Sequence, residues 1–337
     1  VDILRIPPRI LSDVSFLHQG GIYPQRGMMR PLPNAAETRL AEVIRRLGGA
    51  EFEGVLHDWL RRCLAPDNLI VLAYRDSGPP QVLYLQSDSP QVFSQLEKTY
   101  LAGAYLLDPY HDLHMSRVPA GAYRLRDVAP DAFHRSRYFS EYYEQTTLID
   151  EISFVAYPAA GVTLNLCLGR DISSGRVFSQ AEVAACQRLA PVVAALAESH
   201  WSGLSRASGP AEDTAGLLAE ATRRQHGIHL SARQAEVALL ILRGHSTMSI
   251  GLRLGLSPQT VKVFRKQLYS RCTISSQAEL FALMLPLLQD QTSLVMQAAD
   301  RHRRGGMSVA DRMGPGHVAV EIGMLDEAGL VDVPRIV

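Results

Sequence analysis

The stretch Ser257-Pro258-Gln259-Thr260-Val261-Lys262-Val263-Phe264-Arg265-Lys266-Gln267-Leu268-Tyr269 decides how the C-terminal part of this chain folds. Ser257 suits a helix N-cap, because its hydroxyl can accept from the free N–H groups of the first turn. Pro258 then takes the first helical position, where a missing N–H costs nothing and the fixed φ already fits. Val261, Phe264, Leu268 and Tyr269 recur at helical spacing and define a packing face. Gln259, Lys262, Val263, Lys266 and Gln267 are left pointing the other way. A short helix with an apolar back and a Lys/Arg/Gln/Thr front can enter a DNA major groove. The same residues also describe an ordinary solvated basic helix, so the neighbours must decide.

Upstream, Ser231 followed by Gln234 reads as a capping box. The helix it opens turns Val237, Leu240 and Ile241 inward and stops at Gly244. Ser246 can cap the next helix, through Ile250, Leu252 and Leu254, and Gly255 forces the turn before Ser257. Two short helices joined by a tight Gly-containing turn, the second basic on its face, form a helix-turn-helix. After Cys272, Ser275 or Ser276 opens a last helix with Leu280, Phe281, Met284 and Leu285 as its apolar stripe.

These residues resemble the DNA-binding domain of the LuxR (also FixJ/NarL) family of bacterial transcription regulators. The likeness rests on Leu230-Ser231-x-Arg233, Glu236-Val237, Gly244-x-Ser246, Ile250, Leu254, Leu256-Ser257, Thr260-Val261-Lys262, Leu268-Tyr269 and Ala278-Glu279-Leu280. Gln234 stands where the family usually has Glu, Gly251 where it has Ala, and Phe264 where it has His. The resemblance implies that the helix from Pro258 to Cys272 lies in the major groove. Lys262, Val263 and Lys266, about one turn apart on the exposed face, are the candidates for base contact. Ser257, Gln259, Thr260 and Arg265 are the candidates for phosphate contact, helped by the helix N-terminus. Leu280, Phe281 and Met284 fall on the family's usual dimer helix, and equally suit the lid of the small domain's own core. A dimer would read an inverted repeat.

A chain of 337 residues suggests two domains plus connections. Its net charge is zero, which argues against a protein that coats nucleic acid. The basic residues concentrate instead between Leu230 and Leu285, where Arg233, Arg243, Arg253, Lys262, Arg265, Lys266 and Arg271 face only Glu236 and Glu279. Confinement of charge to one module is what a modular DNA reader requires. No apolar run approaches membrane-spanning length, and Arg5, Pro7, Pro8 and Arg9 interrupt Val1 to Ile10, unlike a signal peptide. Cys63, Cys167, Cys186 and Cys272 are scattered and read as reduced, so the expected location is cytoplasmic.

Residues 1–34 read as an irregular arm rich in Pro, Gly, Arg and Met. Helices are expected from Ala35 to Leu47 and from Phe52 to Leu64, then a hairpin of Asn68 to Tyr74 with Gln81 to Gln86. A further helix is expected from Ser89-Pro90 to about Ala104. A second hairpin joins Asp150 to Tyr157 with Gly161 to Gly169. Ser179 with Glu182 opens a long helix, interrupted or bent at Pro191. The expected fold is an α+β N-terminal domain over 35–201, a central antiparallel sheet flanked by helices. That order of elements resembles GAF/PAS-like sensors. Leu107-Asp108-Pro109-Tyr110, Arg124 to Pro130 and Tyr142-Tyr143 also resemble the N-terminal half of many LuxR-type regulators, without the Trp/Tyr/Asp pattern of an acyl-homoserine-lactone pocket. Residues 202–226 have linker composition, 227–289 form an all-α four-helix helix-turn-helix domain, and 290–337 form a tail with the basic cluster Arg301-His302-Arg303-Arg304.

Between the hairpins, Tyr100 to Leu148 is dense in aromatic residues interleaved with Asp108, His111, His114, Arg135, Arg137, Glu141 and Glu144. Tyr105, Tyr110, Phe133, Tyr138 and Tyr142 are the candidate lining of a small-molecule pocket, and the same rings could simply be core. His111 and His114 stand three apart, but no thiolate lies nearby, so they read as surface histidines and no metal or other cofactor is expected. There is no P-loop, Rossmann glycine pattern or GxSxG, so no enzyme is expected. The chain reads as a one-component DNA-binding transcription regulator modulated by a small molecule. The alternative is an N-terminal domain that only mediates dimerisation or partner binding. The expected partners are double-stranded DNA, a second copy of the chain, a small-molecule effector and RNA polymerase, with no membrane.

Overall fold

In the computed structural model, residues 34–75, 78–205 and 213–290 are described. The expected arm before residue 34, the tail with Arg301 to Arg304 and part of the expected linker lie outside them. The chain begins with α1 (Asn34–Arg45) and α2 (Phe52–Leu64), whose Phe52, Leu56, Trp59 and Leu60 form a buried stripe. β1 (Asn68–Arg75) and β2 (Gln81–Ser87) pair antiparallel from Asn68↔Ser87 to Ala73↔Gln81, with a bulge between Val71 and Leu72.

The single helix expected after β2 is instead three short turns: Pro90–Phe93, Leu96–Leu101 and Ala104–Leu107. Ala104, Tyr105, Leu106 and Leu107 are all buried, and no regular helix can bury four consecutive residues on one face. Gly103 breaks the run at φ +152°, where an added Cβ would lie 2.9 Å from the backbone of Gln289.

Next come α3 (Pro109–Ser116), β3 (Gly121–Arg124), α4 (Leu125–Val128) and α5 (Arg137–Glu141). The chain returns to the sheet as β4 (Leu148–Ala159) and β5 (Val162–Asp171). The five strands form one antiparallel sheet in the order β2-β1-β5-β4-β3. Alternation sorts its residues to two faces. Leu69, Val71, Ile152, Phe154, Leu164 and Leu166 meet α1, α2 and the long helix α6 (Gln180–His200). Ile70, Leu72, Tyr74, Val155 and Cys167 meet the tyrosine-rich segment. Both faces of β4 and β5 are therefore buried, which accounts for their nearly continuous apolar sequence. The capping box of Ser179 and Glu182 is formed, and α6 continues through Pro191, which does not interrupt it.

The C-terminal helices are α7 (Thr214–His226), α8 (Ala232–Leu242), α9 (Thr247–Leu254), α10 (Pro258–Cys272) and α11 (277–290). α7 occupies the second half of the stretch read as linker. Its Leu218, Ala221 and Thr222 are buried, because a helix of that pattern packs against α8 rather than spanning solvent. Ser231, Ser246 and Ser257 each accept from a backbone N–H of the following turn, and Gly255 closes α9 at φ +65°. The apolar core of these helices is continuous with that on the tyrosine side of the sheet.

Candidate nucleic-acid interface and sensor cavity

α10 is divided as its sequence requires. Val261 and Leu268 are fully buried, while Gln259, Lys262, Val263, Lys266 and Gln267 face solvent. The helix contains no acidic residue, so its outward face presents Lys262 and Lys266 without an opposing charge on the same element. Ser257 and Thr260 are engaged with each other: the Thr260 N–H donates to Ser257 Oγ at 3.0 Å, and the two hydroxyls lie 2.7 Å apart. Arg265 is drawn along the helix, its Nε donating to the Tyr269 hydroxyl at 3.2 Å and its guanidinium 5.3 Å from the ring centre.

Leu280, Phe281 and Met284 correct the expected dimer surface. All three are buried within the chain, and the Thr222 hydroxyl of α7 lies 3.7 Å from Met284 Sδ. Placed so, they close the core of the small domain and leave no apolar surface of their own for a partner.

The turn between α8 and α9 docks on the sheet-bearing half. The buried Arg243 donates from Nε to the Leu106 carbonyl at 3.1 Å and from Nη1 to Asp112 at 3.0 Å. Arg253 donates to the second oxygen of Asp112 at 2.8 Å. The Gly244 carbonyl accepts from the Ala132 N–H at 3.0 Å, and the Ser246 N–H donates to Asp131 at 2.9 Å. Burial pulls Arg243 below the usual guanidinium range, and Asp112 opposes that pull. Asp112→Asn, which keeps the shape but removes the charge, is expected to cost about 1–2 kcal/mol in urea unfolding.

Asp112 sits on α3, and the N-cap of the same helix is Asp108, whose carboxylate accepts from the Tyr110 N–H at 2.7 Å. Asp108 lines a cavity of about 40 Å³ between the sheet and the tyrosine-rich segment, together with Phe93, Tyr100, Tyr110, Tyr142, Tyr143 and Glu151. It also lines a gap of about 20 Å³ against Arg243, His245 and Arg253. One helix end thus touches both the inner cavity and the helix-turn-helix unit.

Of the residues expected to line a pocket, Tyr110 and Tyr142 do so. Tyr105, Phe133 and Tyr138 lie behind them as core, with the Tyr138 hydroxyl 3.4 Å from Asp108. Tyr142 stacks between Tyr100 and Tyr138, at ring distances of 5.4 and 5.5 Å. Burial pushes the Asp108 carboxyl up to about 6. Burial, reinforced by repulsion from Asp108, pushes Glu151 up to about 8. In the sequence the signal for Glu151 is an adjacent acid pair, Asp150-Glu151, at the start of the largely apolar strand β4.

His111 and His114 are buried, not on the surface. His114 Nδ1 lies 2.7 Å from the Thr163 hydroxyl, and His111 packs among the rings of Tyr74, Tyr105 and His114 with neither ring nitrogen bonded. Burial holds His111 well below its ordinary pKa, so it stays neutral. No group of three or more His, Cys, Asp or Glu among the described residues is arranged to hold a metal.

Residues 229–284 match the family described as bacterial regulatory proteins, luxR family. A relative from Aeromonas salmonicida, named "Putative HTH-type transcriptional regulator in exeN 3'region", is 29% identical over 184 residues, spanning 53% of this chain and 93% of its own length. Among solved structures, the chain is similar to the VqsR LBD domain from Pseudomonas aeruginosa, with 22% identity and a TM-score of 0.43 over 51% of this chain and all of that one. It is also similar to Escherichia coli SdiA, with 17% identity and a TM-score of 0.35 over 75% of this chain and 98% of that one.

Proposed function

Residues 229–284 carry a LuxR-family helix-turn-helix, and from that premise we propose that the chain is a transcriptional regulator of that family, a one-component switch in which a small molecule in the tyrosine cavity sets the competence of α10 for DNA. The observation that carries the DNA reading is the acid-free, outward Lys262/Lys266 face of α10 over a buried Val261/Leu268 back. Lys262, Val263 and Lys266 reach base edges, where Lys can donate to guanine O6 and N7 and Val can touch a thymine methyl. Ser257, Gln259 and Thr260 meet phosphates at the helix N-terminus, joined by Arg265. The regulator acts in the cytoplasm as a homodimer on an inverted repeat, with RNA polymerase as its further partner.

Selection from a random DNA pool tests this reading. Wild type is expected to enrich a short palindrome, and Lys262→Ala or Lys266→Ala to cost about 1–3 kcal/mol each while relaxing one position per half-site. A uniform loss with unchanged preference and a shallower salt slope assigns those lysines to phosphates instead.

The second part of the reading is supported by α3, whose Asp108 borders the cavity and whose Asp112 holds Arg243 and Arg253 of the reader. A ligand that moves Asp108 has a four-residue lever on the docking of the helix-turn-helix. Such coupling demands a ligand with different affinity for docked and undocked states. The alternative, a half that only dimerises or binds a partner, provides no use for two buried carboxyls around a cavity. Thermal-shift screening of the full chain against a broad metabolite library separates the two, since any stabilising ligand raises the melting temperature by mass action.

A further inference from the structure

The cavity beneath the tyrosines contains two acids and no base. Asp108 and Glu151 both line it, and they are 3% and 8% exposed. Their side chains meet only neutral donors among the described residues. Asp108 meets the Tyr110 N–H and the Tyr138 and Tyr100 hydroxyls. Glu151 meets the Tyr143 hydroxyl at 3.4 Å and the Cys167 thiol.

The nearby cations are committed elsewhere: Arg124 pairs with Asp150, and Arg243 with Asp112. A carboxylate withdrawn from water without a counter-ion is costly, and two in one cavity repel each other. A fold that keeps both acids there needs either protons or a positive guest to neutralise them.

The surroundings favour the guest. Phe93, Tyr100, Tyr110, Tyr142 and Tyr143 wall the cavity, and aromatic faces attract an organic cation. A space of about 40 Å³ takes a head group of a few heavy atoms. Next to it lies a hollow of about 290 Å³ that shares Tyr143, Leu148 and Glu151 as a common wall. Leu125, Phe139 and Ile149 line that hollow and give it an apolar side, with Arg126 and His134 also facing it.

We propose that this site takes a protonated primary amine, its ammonium between Asp108 and Glu151 and its apolar portion running past Tyr143 and Leu148 into the neighbouring hollow. The inference rests on the reading of the cavity as an effector site and gives that effector a chemical class. Near neutral pH the empty pair keeps a proton, since burial holds Glu151 at about 8 and Asp108 at about 6. An entering ammonium displaces it, so amine affinity rises with pH between these values. Of the groups that touch the pair in the small cavity, burial pushes the phenols of Tyr100, Tyr110, Tyr138, Tyr142 and Tyr143 and the Cys167 thiol upward, away from that range; His134, Arg126 and Asp150 face the adjoining hollow.

Calorimetric titration of the full chain provides the test, with 2-phenylethylamine and hexylamine set against 2-phenylethanol and 1-hexanol at about pH 6 and pH 8, where the amines stay protonated. At the higher pH each amine is expected to bind about tenfold or more tightly than its alcohol, as a charge-assisted contact gives. The preference should shrink at the lower pH and shrink several-fold in Glu151→Gln, where only Asp108 remains to hold the ammonium. Asp108→Asn, which keeps the N-cap of α3, should weaken the amines as well. Thermal unfolding of both variants checks that they fold.

Amines that bind no better than alcohols, amines that do not bind, or an amine preference left unchanged in both folded Glu151→Gln and folded Asp108→Asn would each overturn the cationic assignment. In those cases, stabilisation by neutral compounds of the metabolite library leaves the effector reading standing. Stabilisation by nothing at all removes the effector reading itself.

Discussion

Gly244→Ala is expected to lower the unfolding free energy by about 3–5 kcal/mol, from backbone strain and overpacking together. Gly244 ends α8 at φ +90°, a conformation that an L side chain adopts only under strain. An added Cβ would also lie 2.8 Å from Phe133 Cα and 3.2 Å from both Phe133 N and Ser136 Cβ. Two of these neighbours are backbone atoms, held by the Ala132 N–H to Gly244 carbonyl bond, so neither side can yield cheaply. Gly227 supplies the control. It has a similar sign of φ, +67°, but nothing within 4 Å of its would-be Cβ. Gly227→Ala should therefore cost only about 1 kcal/mol, the strain without the collision. Urea unfolding followed by circular dichroism reads both. Equal costs for the two substitutions would mean that the α8–α9 turn does not rest on Phe133.

The contrast between these two glycines marks what sequence could and could not reveal. Gly244 is legible as a helix stop, as are Gly255 and the serine caps at 231, 246 and 257, because capping and left-handed turns are local chemistry. For the same reason the helices α8 to α10 and both hairpins fall where periodicity places them. Docking of that turn on Phe133 is another matter. It joins Arg243 to Asp112 across 131 positions, and neither residue differs in its neighbourhood from an ordinary surface charge. The run from Pro90 to Gln145 misled for a related reason. Its aromatic residues must face the sheet and one another at once, which breaks the backbone into short pieces. α7 was hidden by its Ser/Gly/Pro-containing approach, although Leu218, Ala221 and Thr222 carry a packing face.

The site divides along the same line. An outward basic face needs only helical phase, so Lys262, Val263 and Lys266 emerge on solvent as expected. The cavity depends on which aromatic residues converge, and phase alone could not separate Tyr110 and Tyr142 on its wall from Tyr105, Phe133 and Tyr138 behind it. Its acids were the better clue. A carboxyl at an inward position of a buried strand has no structural use unless something neutralises it.

That uncompensated burial sets the dependence of stability on pH. In the unfolded chain Glu151 ionises near 4.5, whereas burial and Asp108 keep it protonated up to about 8 in the fold. Between these values the folded state binds more protons, so the contribution of Glu151 is complete at low pH, is lost as pH rises, and is flat above about 8. Asp108 acts in the same direction over a lower window, from 3.8 to about 6. His245 opposes both, because burial holds it at about 4, so stability gained from keeping it neutral grows up to the unfolded value of 6.5. Wild-type stability therefore mixes the terms below 6.5 and shows the Glu151 loss most cleanly from there to about 8, where it amounts to about 2 kcal/mol. Glu151→Gln removes the titration and leaves a neutral group of the same shape. Its stability relative to wild type is expected to rise by about 4 kcal/mol between about pH 5 and pH 9, since each tenfold difference in proton affinity is worth about 1.4 kcal/mol. Chemical denaturation of both proteins across that range measures the difference directly. A constant difference would mean that Glu151 ionises alike in the folded and unfolded chain, and the carboxyl pair would then be solvated rather than sealed under the tyrosines.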